Sequence, residues 1–228
     1  MEQPRYIQVL SNVLDGLRTG SSVHVIPVAG KRILRISWLN IVHQPEIYQA
    51  LAKLIKIHSV ENGYQVDAVA SIETSGAKYG FAISYELGKP YFSIHKTSKL
   101  IFETPITAEG ISFTEGRPVT LHVDRPVASQ FGKVLLVDDV RRTSTTIQTA
   151  VDLLERCGTN VVACYVILDL AFAGYPRPRN IPANRYHPLF TVSAVDENGK
   201  CVVDEGLVVS FLSRAPVEKQ QKPSQNTC

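Results

Sequence analysis

Long apolar runs, paired cysteines and a concentrated basic stripe are all missing from this 228-residue sequence. No apolar run approaches the roughly 20 residues that a membrane-spanning helix needs. The N-terminus, MEQPRYIQVL, also lacks the basic segment followed by an apolar segment that is typical of a secretory signal. We therefore expect a cytoplasmic protein that makes no contact with a membrane.

The few cysteines are equally informative, because they form no CxxC pair and no Cys/His cluster. Disulfide scaffolds are shorter and richer in cysteine, so we expect reduced thiols. The histidines, among them His43, His95 and His187, show no metal-ligand arrangement and are interpreted as ordinary polar residues. The four cysteines are Cys157, Cys164, Cys201 and Cys228.

The net charge of +3 comes from basic residues that are scattered among acids. Nucleic-acid binding usually concentrates basic residues on one face, so this balance favours a small anionic ligand and no nucleic acid. With 44% hydrophobic and 20% charged residues, the chain can bury a core. We predict one domain over residues 1–213 and a polar, disordered tail over 214–228.

Between residues 66 and 170, apolar runs alternate with helical patterns, which predicts an α/β domain with a parallel sheet. The runs at 134–137 and 161–168 are nearly continuous in apolar residues, as in strands covered on both faces. A helix is predicted after the first of these runs, with Gly158 ending it in the left-handed conformation. A further amphipathic helix is predicted over residues 45–58.

Two other regions have strand-like character. Residues 100–130 contain no helical pattern and predict a long loop with a hairpin. Residues 176–212 contain FTVSAV and LVVSF, which predict two short strands, with a hairpin turn at Asn198-Gly199 between them.

The stretch KVLLVDDVRRTSTT, residues 133–146, suggests a ligand with two chemical halves. Asp138 and Asp139 follow an apolar strand, and ligands of open α/β sheets bind beyond the carboxyl ends of strands. The hydroxyl-bearing residues 143–146 lead into a helix, whose free N–H groups favour a phosphate, while carboxylates favour a diol. A ribose 5-phosphate has both halves. The same residues also suit a plain strand end with a helix cap, and the motif alone does not separate the two interpretations.

Other segments decide between them, because together they resemble type I phosphoribosyltransferases of the purine branch. SIETSGAKYG (71–80) resembles that family's pyrophosphate loop, and LGKPYFSIHKTSK resembles the strand that leads to its flexible loop. ITAEGISFT (106–114) and WLNIVHQPE resemble segments of xanthine phosphoribosyltransferases. The resemblance implies a central parallel sheet flanked by helices, with a core over about residues 30–175. A small hood would come from the N-terminal segment and residues 176–212.

The resemblance also implies a role for each matching residue. The ribose hydroxyls would be held by Asp138 and Asp139, and the 5-phosphate by Arg142, Thr143, Ser144, Thr145 and Thr146. The pyrophosphate would face Glu73, Thr74, Ser75 and Gly76, with Lys96 or Lys99 neutralising its charge, in the same subunit or across a homodimer interface. The purine would meet Asn40, Asp169, Leu170 and Phe172. Glu103 could assist removal of the purine proton, although an exposed loop acid is the simpler interpretation of it.

The implied substrates are phosphoribosyl pyrophosphate and a purine base, with Mg²⁺ held mainly by substrate oxygens. The long loop at 97–117 would close over the site and exclude water. One departure from the family is that RRTSTT contains no glycine, which reduces the freedom of the backbone to approach a phosphate. Arg141 and Arg142 could also bind an anionic effector or form solvated ion pairs.

The base is predicted from Leu170. Enzymes for 6-oxopurines typically have a lysine at this place, whereas VILDLAFAG has a leucine, which cannot donate to a 6-oxo group. An unpaired buried oxygen costs about 1 to 3 kcal/mol. We therefore predict adenine, with xanthine or hypoxanthine-guanine as the alternative. A protein that senses phosphoribosyl pyrophosphate without catalysis is the rival class, although the first 60 residues show no helix-turn-helix with a basic recognition face.

Overall fold

A five-stranded parallel sheet lies at the centre of the computed structural model, which describes residues 4–28, 31–111 and 118–214. The helices are α1 (Arg5–Thr19), α2 (Ser37–Asn40), α3 (Pro45–Glu61), α4 (Gly76–Leu87), α5 (Arg125–Ala128), α6 (Thr145–Arg156) and α7 (Leu207–Arg214). The strands are β1 (Val23–Val28), β2 (Lys31–Ile36), β3 (Ala68–Ile72), β4 (Tyr91–Ile94), β5 (Pro105–Ile111), β6 (Pro118–Asp124), β7 (Lys133–Arg141), β8 (Asn160–Asp169), β9 (Tyr186–Thr191), β10 (Ala194–Val195) and β11 (Cys201–Val202). The sheet order is β4-β3-β7-β8-β9, which confirms the predicted α/β fold.

The central strands bury both faces of the sheet, because successive side chains of a strand point to opposite sides. Leu135 and Val137 of β7 pack with α1, α3 and α4 on one face. Val134 and Leu136 pack with α6 and the β5–β6 hairpin on the other. Two apolar layers therefore enclose the sheet, which explains the nearly continuous apolar runs of β7 and β8.

Helix α4 lies closely against the sheet because two of its glycines face strands. A Cβ atom at Gly80 would lie 2.6 Å from the Cβ of Ser71 on β3. A Cβ atom at Gly76, the first residue of the helix, would lie 3.2 Å from Oδ1 of Asp138 on β7. The start of α4 therefore rests directly on the carboxyl end of β7.

The predicted helices over 45–58 and after residue 144 are present as α3 and α6, and Gly158 has a φ of 80° just beyond the end of α6. The predicted hairpin between residues 100 and 130 is β5–β6, which packs on α6. Residues 112–117 of the predicted covering loop lie outside the described residues.

The prediction for residues 207–211 was wrong, because α7 begins at Leu207. LVVSF contains two adjacent valines, which favour a strand, but Leu207, Phe211 and Leu212 lie on one helical face and pack against the core. The turn at Asn198-Gly199 is present between β10 and β11, and Gly199 has a φ of 82°.

The N-terminal and C-terminal elements, from which the hood was predicted, contact each other. Arg18 of α1 donates a 2.7 Å hydrogen bond to the carbonyl of Val203, and α1 also packs against α7. Arg214 ends α7, and the remainder of the predicted tail, residues 215–228, lies outside the described residues. None of the described helices is both long enough and apolar enough to cross a bilayer.

Candidate active site

Most of the predicted site residues lie along one edge of the sheet, because β4, β3, β7 and β8 are parallel neighbours. The predicted pyrophosphate loop follows β3, the predicted lysine segment follows β4, the acidic pair lies near the end of β7 and the predicted purine segment follows β8. This edge is where open α/β sheets bind ligands.

Asp138 and Asp139 form the centre of this edge. Asp138 is buried, with its side chain beneath Gly76, and its Oδ1 accepts the N–H of Asp139 at 3.0 Å. Burial raises the pKa of Asp138 well above its ordinary value, the Asp139 carboxylate raises it further, and the charge of Lys96 opposes both. Half-buried Asp139 is thus the more accessible of the two carboxylates.

The side chain of Glu73 connects the segment that follows β3 with the segment that follows β4. The carboxylate of Glu73 accepts a 2.6 Å hydrogen bond from Nδ1 of His95 and lies 3.7 Å from Nζ of Lys99. His95 also exchanges backbone hydrogen bonds with His122 of β6. Glu73 therefore links the predicted pyrophosphate loop, the lysine segment and the hairpin.

The hydroxyl-bearing loop after β7 leads directly into α6. Ser144 has a φ of −88° and a ψ of 0°, a conformation that L-residues can adopt, so the loop does not need a glycine at this position. Its buried hydroxyl donates to the carbonyl of Pro176 at 2.5 Å. Thr143 and Thr146 are half-buried and Arg142 is exposed. The first N–H groups of α6 have no partner within the helix, so they are available to an anion.

The end of β8 contains a buried ion pair. Asp169 is fully buried, and its Oδ1 pairs with the guanidinium of Arg141, which is 2% exposed. Its Oδ2 accepts the hydroxyl of Tyr186 at 2.9 Å. Both oxygens of Asp169 are thus bonded within the protein. The next residues are more open, since Leu170 is half-buried and Phe172 is 45% exposed.

Asn40 and Glu103, two further predicted site residues, are distant in sequence from the acidic pair. Asn40 is exposed at the end of α2, and its side-chain oxygen accepts the N–H of Ile36 at 2.8 Å. The neighbouring Trp38 ring lies 6.0 Å from that of Phe190 on β9, which brings α2 to the β8–β9 side of the sheet. Glu103 is exposed in the segment between β4 and β5.

Three residues near the site were not assigned to it from the sequence. His95 was interpreted as an ordinary polar residue, and Arg141 as a surface cation. Buried Tyr79 was overlooked because it sits in an apolar helical pattern; burial, Tyr48 and the Asp139 carboxylate all raise its pKa. Only His95 carried a usable signal, its position directly after a predicted strand.

The oxygen-rich acidic pair is chemically suited to Mg²⁺, which prefers carboxylate oxygens together with substrate phosphates. Within residues 4–28, 31–111 and 118–214, no group of three or more acidic, histidine or cysteine side chains could hold a metal alone.

The five-stranded parallel sheet, with acidic and hydroxyl-bearing residues at the carboxyl ends of its strands, defines an α/β protein with a ligand-binding edge. A model of the phosphoribosyl transferase domain matches residues 37–182, so the chain belongs to the phosphoribosyltransferase family. The adenine phosphoribosyltransferase of Bordetella avium is 33% identical over 158 residues, which cover 69% of this chain and 82% of that protein.

Solved structures agree on the fold. An adenine phosphoribosyltransferase of Leishmania donovani aligns with a TM-score of 0.66 at 20% identity, covering 82% of this chain and 83% of that one. The enzyme of Rhodothermus marinus aligns with a TM-score of 0.63 at 21% identity, covering 80% and 99%.

Proposed function

We propose that this protein transfers a 5-phosphoribosyl group from phosphoribosyl pyrophosphate to adenine, giving AMP and pyrophosphate. The observation that carries the proposal is the acidic pair near the end of β7, which a short hydroxyl-bearing loop connects to the N-terminus of α6. That arrangement suits a diol and a phosphate on one small molecule. Several relatives at 30–36% identity are named adenine phosphoribosyltransferases.

In the proposed reaction, a purine ring nitrogen forms a bond to the anomeric carbon of the ribose. The bond from that carbon to pyrophosphate breaks, its electron pair leaves with pyrophosphate, and the purine loses one proton. The ribose becomes positively charged in the transition state, so the Asp139 carboxylate would stabilise it. Asp138 and Asp139 would hold the ribose hydroxyls, and Glu103 would assist the loss of the proton.

The phosphate groups would be bound by donors on both sides of the acidic pair. The backbone N–H groups of residues 143–146 and the hydroxyls of Thr143, Thr145 and Thr146 would bind the 5-phosphate, with Arg142 adding charge. The hydroxyl of Ser144 is already bonded to Pro176, so that residue would act through its N–H. Pyrophosphate would lie against residues 73–76, Lys96 and Lys99. Mg²⁺, held mainly by substrate oxygens, would offset the negative charge of the leaving group.

The purine would lie against Phe172 and Leu170, with Asn40 at its edge. Leu170 offers no side-chain donor to a 6-oxo group, which favours adenine over hypoxanthine, guanine and xanthine. Because both oxygens of Asp169 are bonded to Arg141 and Tyr186, we propose that Asp169 supports this segment from behind.

The proposal is tested by pyrophosphate release from Mg²⁺ and phosphoribosyl pyrophosphate, with adenine, hypoxanthine, guanine, xanthine or orotate supplied separately. Turnover with adenine alone is expected, and Asp139→Asn should reduce it strongly. Asp152→Asn is the matched control, because Asp152 is an exposed acid of α6. Turnover with a 6-oxopurine would retain the class and refute the base. Binding of phosphoribosyl pyrophosphate without turnover would support the sensor.

We also propose that the protein is a homodimer that buries the groove between α1, α3 and α4. This groove has a volume of about 950 Å³ and is lined by apolar and aromatic side chains such as Tyr6 and Tyr48. Phe81 and Tyr85, one turn apart on α4, also line it and are 62% and 83% exposed, and charged side chains such as Lys53 and Glu86 complete the lining. Sedimentation should give a dimer, and Phe81→Asp a monomer. Val60→Asp, at an exposed position of α3 outside the groove, should remain dimeric.

A further inference from the structure

Arg141 is a buried cation at the junction of the two binding segments. It is the last residue of β7 and pairs in register with Asp169, the last residue of β8. A guanidinium stays charged in proteins, so its burial requires acceptors. Its Nε donates to Oδ1 of Asp169 at 2.6 Å, and its Nη1 donates to the carbonyls of Tyr175 at 2.9 Å and Pro176 at 3.3 Å.

These bonds tie the predicted purine segment to the predicted phosphate loop. Residues 170–176, which include Phe172, directly follow Asp169, and the last two of them provide the carbonyls that Arg141 binds. The phosphate loop starts at residue 142, and its Ser144 hydroxyl donates to the carbonyl of Pro176. The N–H of Leu170 donates to the carbonyl of Arg141 at 2.8 Å. One side chain therefore contacts both ends of the purine segment and directly precedes the phosphate loop.

Stability alone is a weak explanation for such a buried ion pair. Desolvation of both charges offsets much of their attraction, and apolar residues of similar volume are often equally stable or more stable. What an apolar pair would lack is the planar set of donors that reaches Asp169 and two carbonyls together. Arg141 thus differs from an apolar residue in that its hydrogen bonds fix the position of residues 170–176.

We propose that Arg141 is a positioning residue that fixes the purine segment relative to the phosphate loop. The inference rests on the proposed function, because it states that Arg141 determines the distance between the purine ring nitrogen and the anomeric carbon. Group transfer is sensitive to that distance, and a misplacement of about 1 Å can reduce the rate about a hundredfold. Arg141 acts through Asp169, Tyr175 and Pro176 and does not touch the substrates.

Arg141→Lys is the first test, because lysine keeps the charge near Asp169 but has no planar fork to reach both carbonyls. We expect the variant to fold, and we expect its kcat/KM for adenine to fall about tenfold or more. KM for adenine should rise more than KM for phosphoribosyl pyrophosphate. Hydrogen exchange at residues 170–178 should accelerate, while exchange in β7 and β8 should not.

Tyr186→Phe is the matched control, because it removes a hydrogen bond to the same carboxylate and leaves every bond of Arg141 in place. It should lower stability and retain the wild-type KM values. The double variant Arg141→Met/Asp169→Leu covers the case in which Arg141→Lys does not fold, since it removes both buried charges together. It should fold, with the same kinetic loss and faster exchange at 170–178.

The inference is overturned if Arg141→Lys and the double variant keep kcat and both KM values within about twofold of wild type and show unchanged exchange at 170–178. A wild-type protein that turns over no purine refutes the proposed function instead. Hydrogen exchange then still tests whether Arg141 fixes the segment.

Discussion

Gly76→Ala should separate the position of Asp138 from the stability of the fold. The added Cβ would lie 3.2 Å from Oδ1 of Asp138, 3.4 Å from its Cα and 3.4 Å from the carbonyl of Val137. Oδ1 of Asp138 would have to shift by a few tenths of an ångström. The same oxygen accepts the backbone N–H of Asp139, so the shift would disturb the acidic pair.

The expected magnitude follows from these contacts. Mild overpacking is opposed by the higher helix propensity of alanine, which is worth up to about 1 kcal/mol, so the free energy of unfolding should change by less than about 1 kcal/mol. Since about 1 Å of misplacement can cost a hundredfold in rate, kcat/KM should fall about fivefold to tenfold.

Gly80→Ala is the comparison on the same helix. Its added Cβ would lie 2.6 Å from Cβ and 2.7 Å from Oγ of Ser71, and 2.9 Å from the ring of Tyr91. Overpacking of this kind costs about 1 to 3 kcal/mol, whereas no acidic residue is displaced directly. Denaturant unfolding and kcat/KM would be measured for both variants. Wild-type kcat/KM for Gly76→Ala, or an equal loss per folded molecule for Gly80→Ala, would refute the reasoning.

Three further predictions concern stability and base choice. Burial and the neighbouring His58 lower the pKa of His187 to about 4 from its ordinary 6.5. As the pH falls, the unfolded chain therefore protonates at His187 before the folded chain does. The contribution of neutral His187 to the free energy of unfolding is complete above pH 6.5 and declines as the pH falls toward 4. Allowing for partial exposure, the loss is about 2 kcal/mol; denaturant unfolding of His187→Phe should show a shallower pH dependence, and an unchanged dependence would contradict this. Leu170→Lys should raise the ratio of hypoxanthine to adenine turnover about tenfold in the pyrophosphate assay, and an unaltered ratio would contradict the base argument. Gly110→Ala would place a Cβ 2.2 Å from Oγ1 of Thr149 on α6, so it should lower the free energy of unfolding by about 1 to 3 kcal/mol. Addition of Thr149→Ala should restore part of that loss, and no restoration would argue against this contact.

The sheet was predictable because its signal is local. The apolar runs of β7 and β8 and the helical spacing in α3 and α6 are local sequence patterns that tertiary contacts reinforce. Residues 207–211 gave the wrong prediction because two valines favour a strand locally, while the face that packs against the core is helical. The acidic pair and its hydroxyl-rich loop could be located in the sequence because only the strand that precedes them had to be recognised.

The partners of the site residues were not predictable, because they are distant in sequence. Arg141 meets Asp169 only when β7 and β8 pair, and a single arginine in a polar loop is usually a surface cation. Glu73 and His95 come together only through the β3–β4 pairing. Such contacts depend on strand order, which the sequence specifies only through the whole fold.

Helix α4 connects the candidate active site to the subunit interface that we propose. From Gly76 at the acidic pair, the helix extends about 14 Å at 1.5 Å per residue to Tyr85, which lines the groove together with Phe81. A ligand that shifts the first turn of α4 and a second subunit that covers Phe81 and Tyr85 would therefore act on the same rigid helix. By thermodynamic reciprocity, if substrate binding strengthens dimerisation through α4, dimerisation strengthens substrate binding by the same factor, so the apparent substrate affinity should then rise with protein concentration.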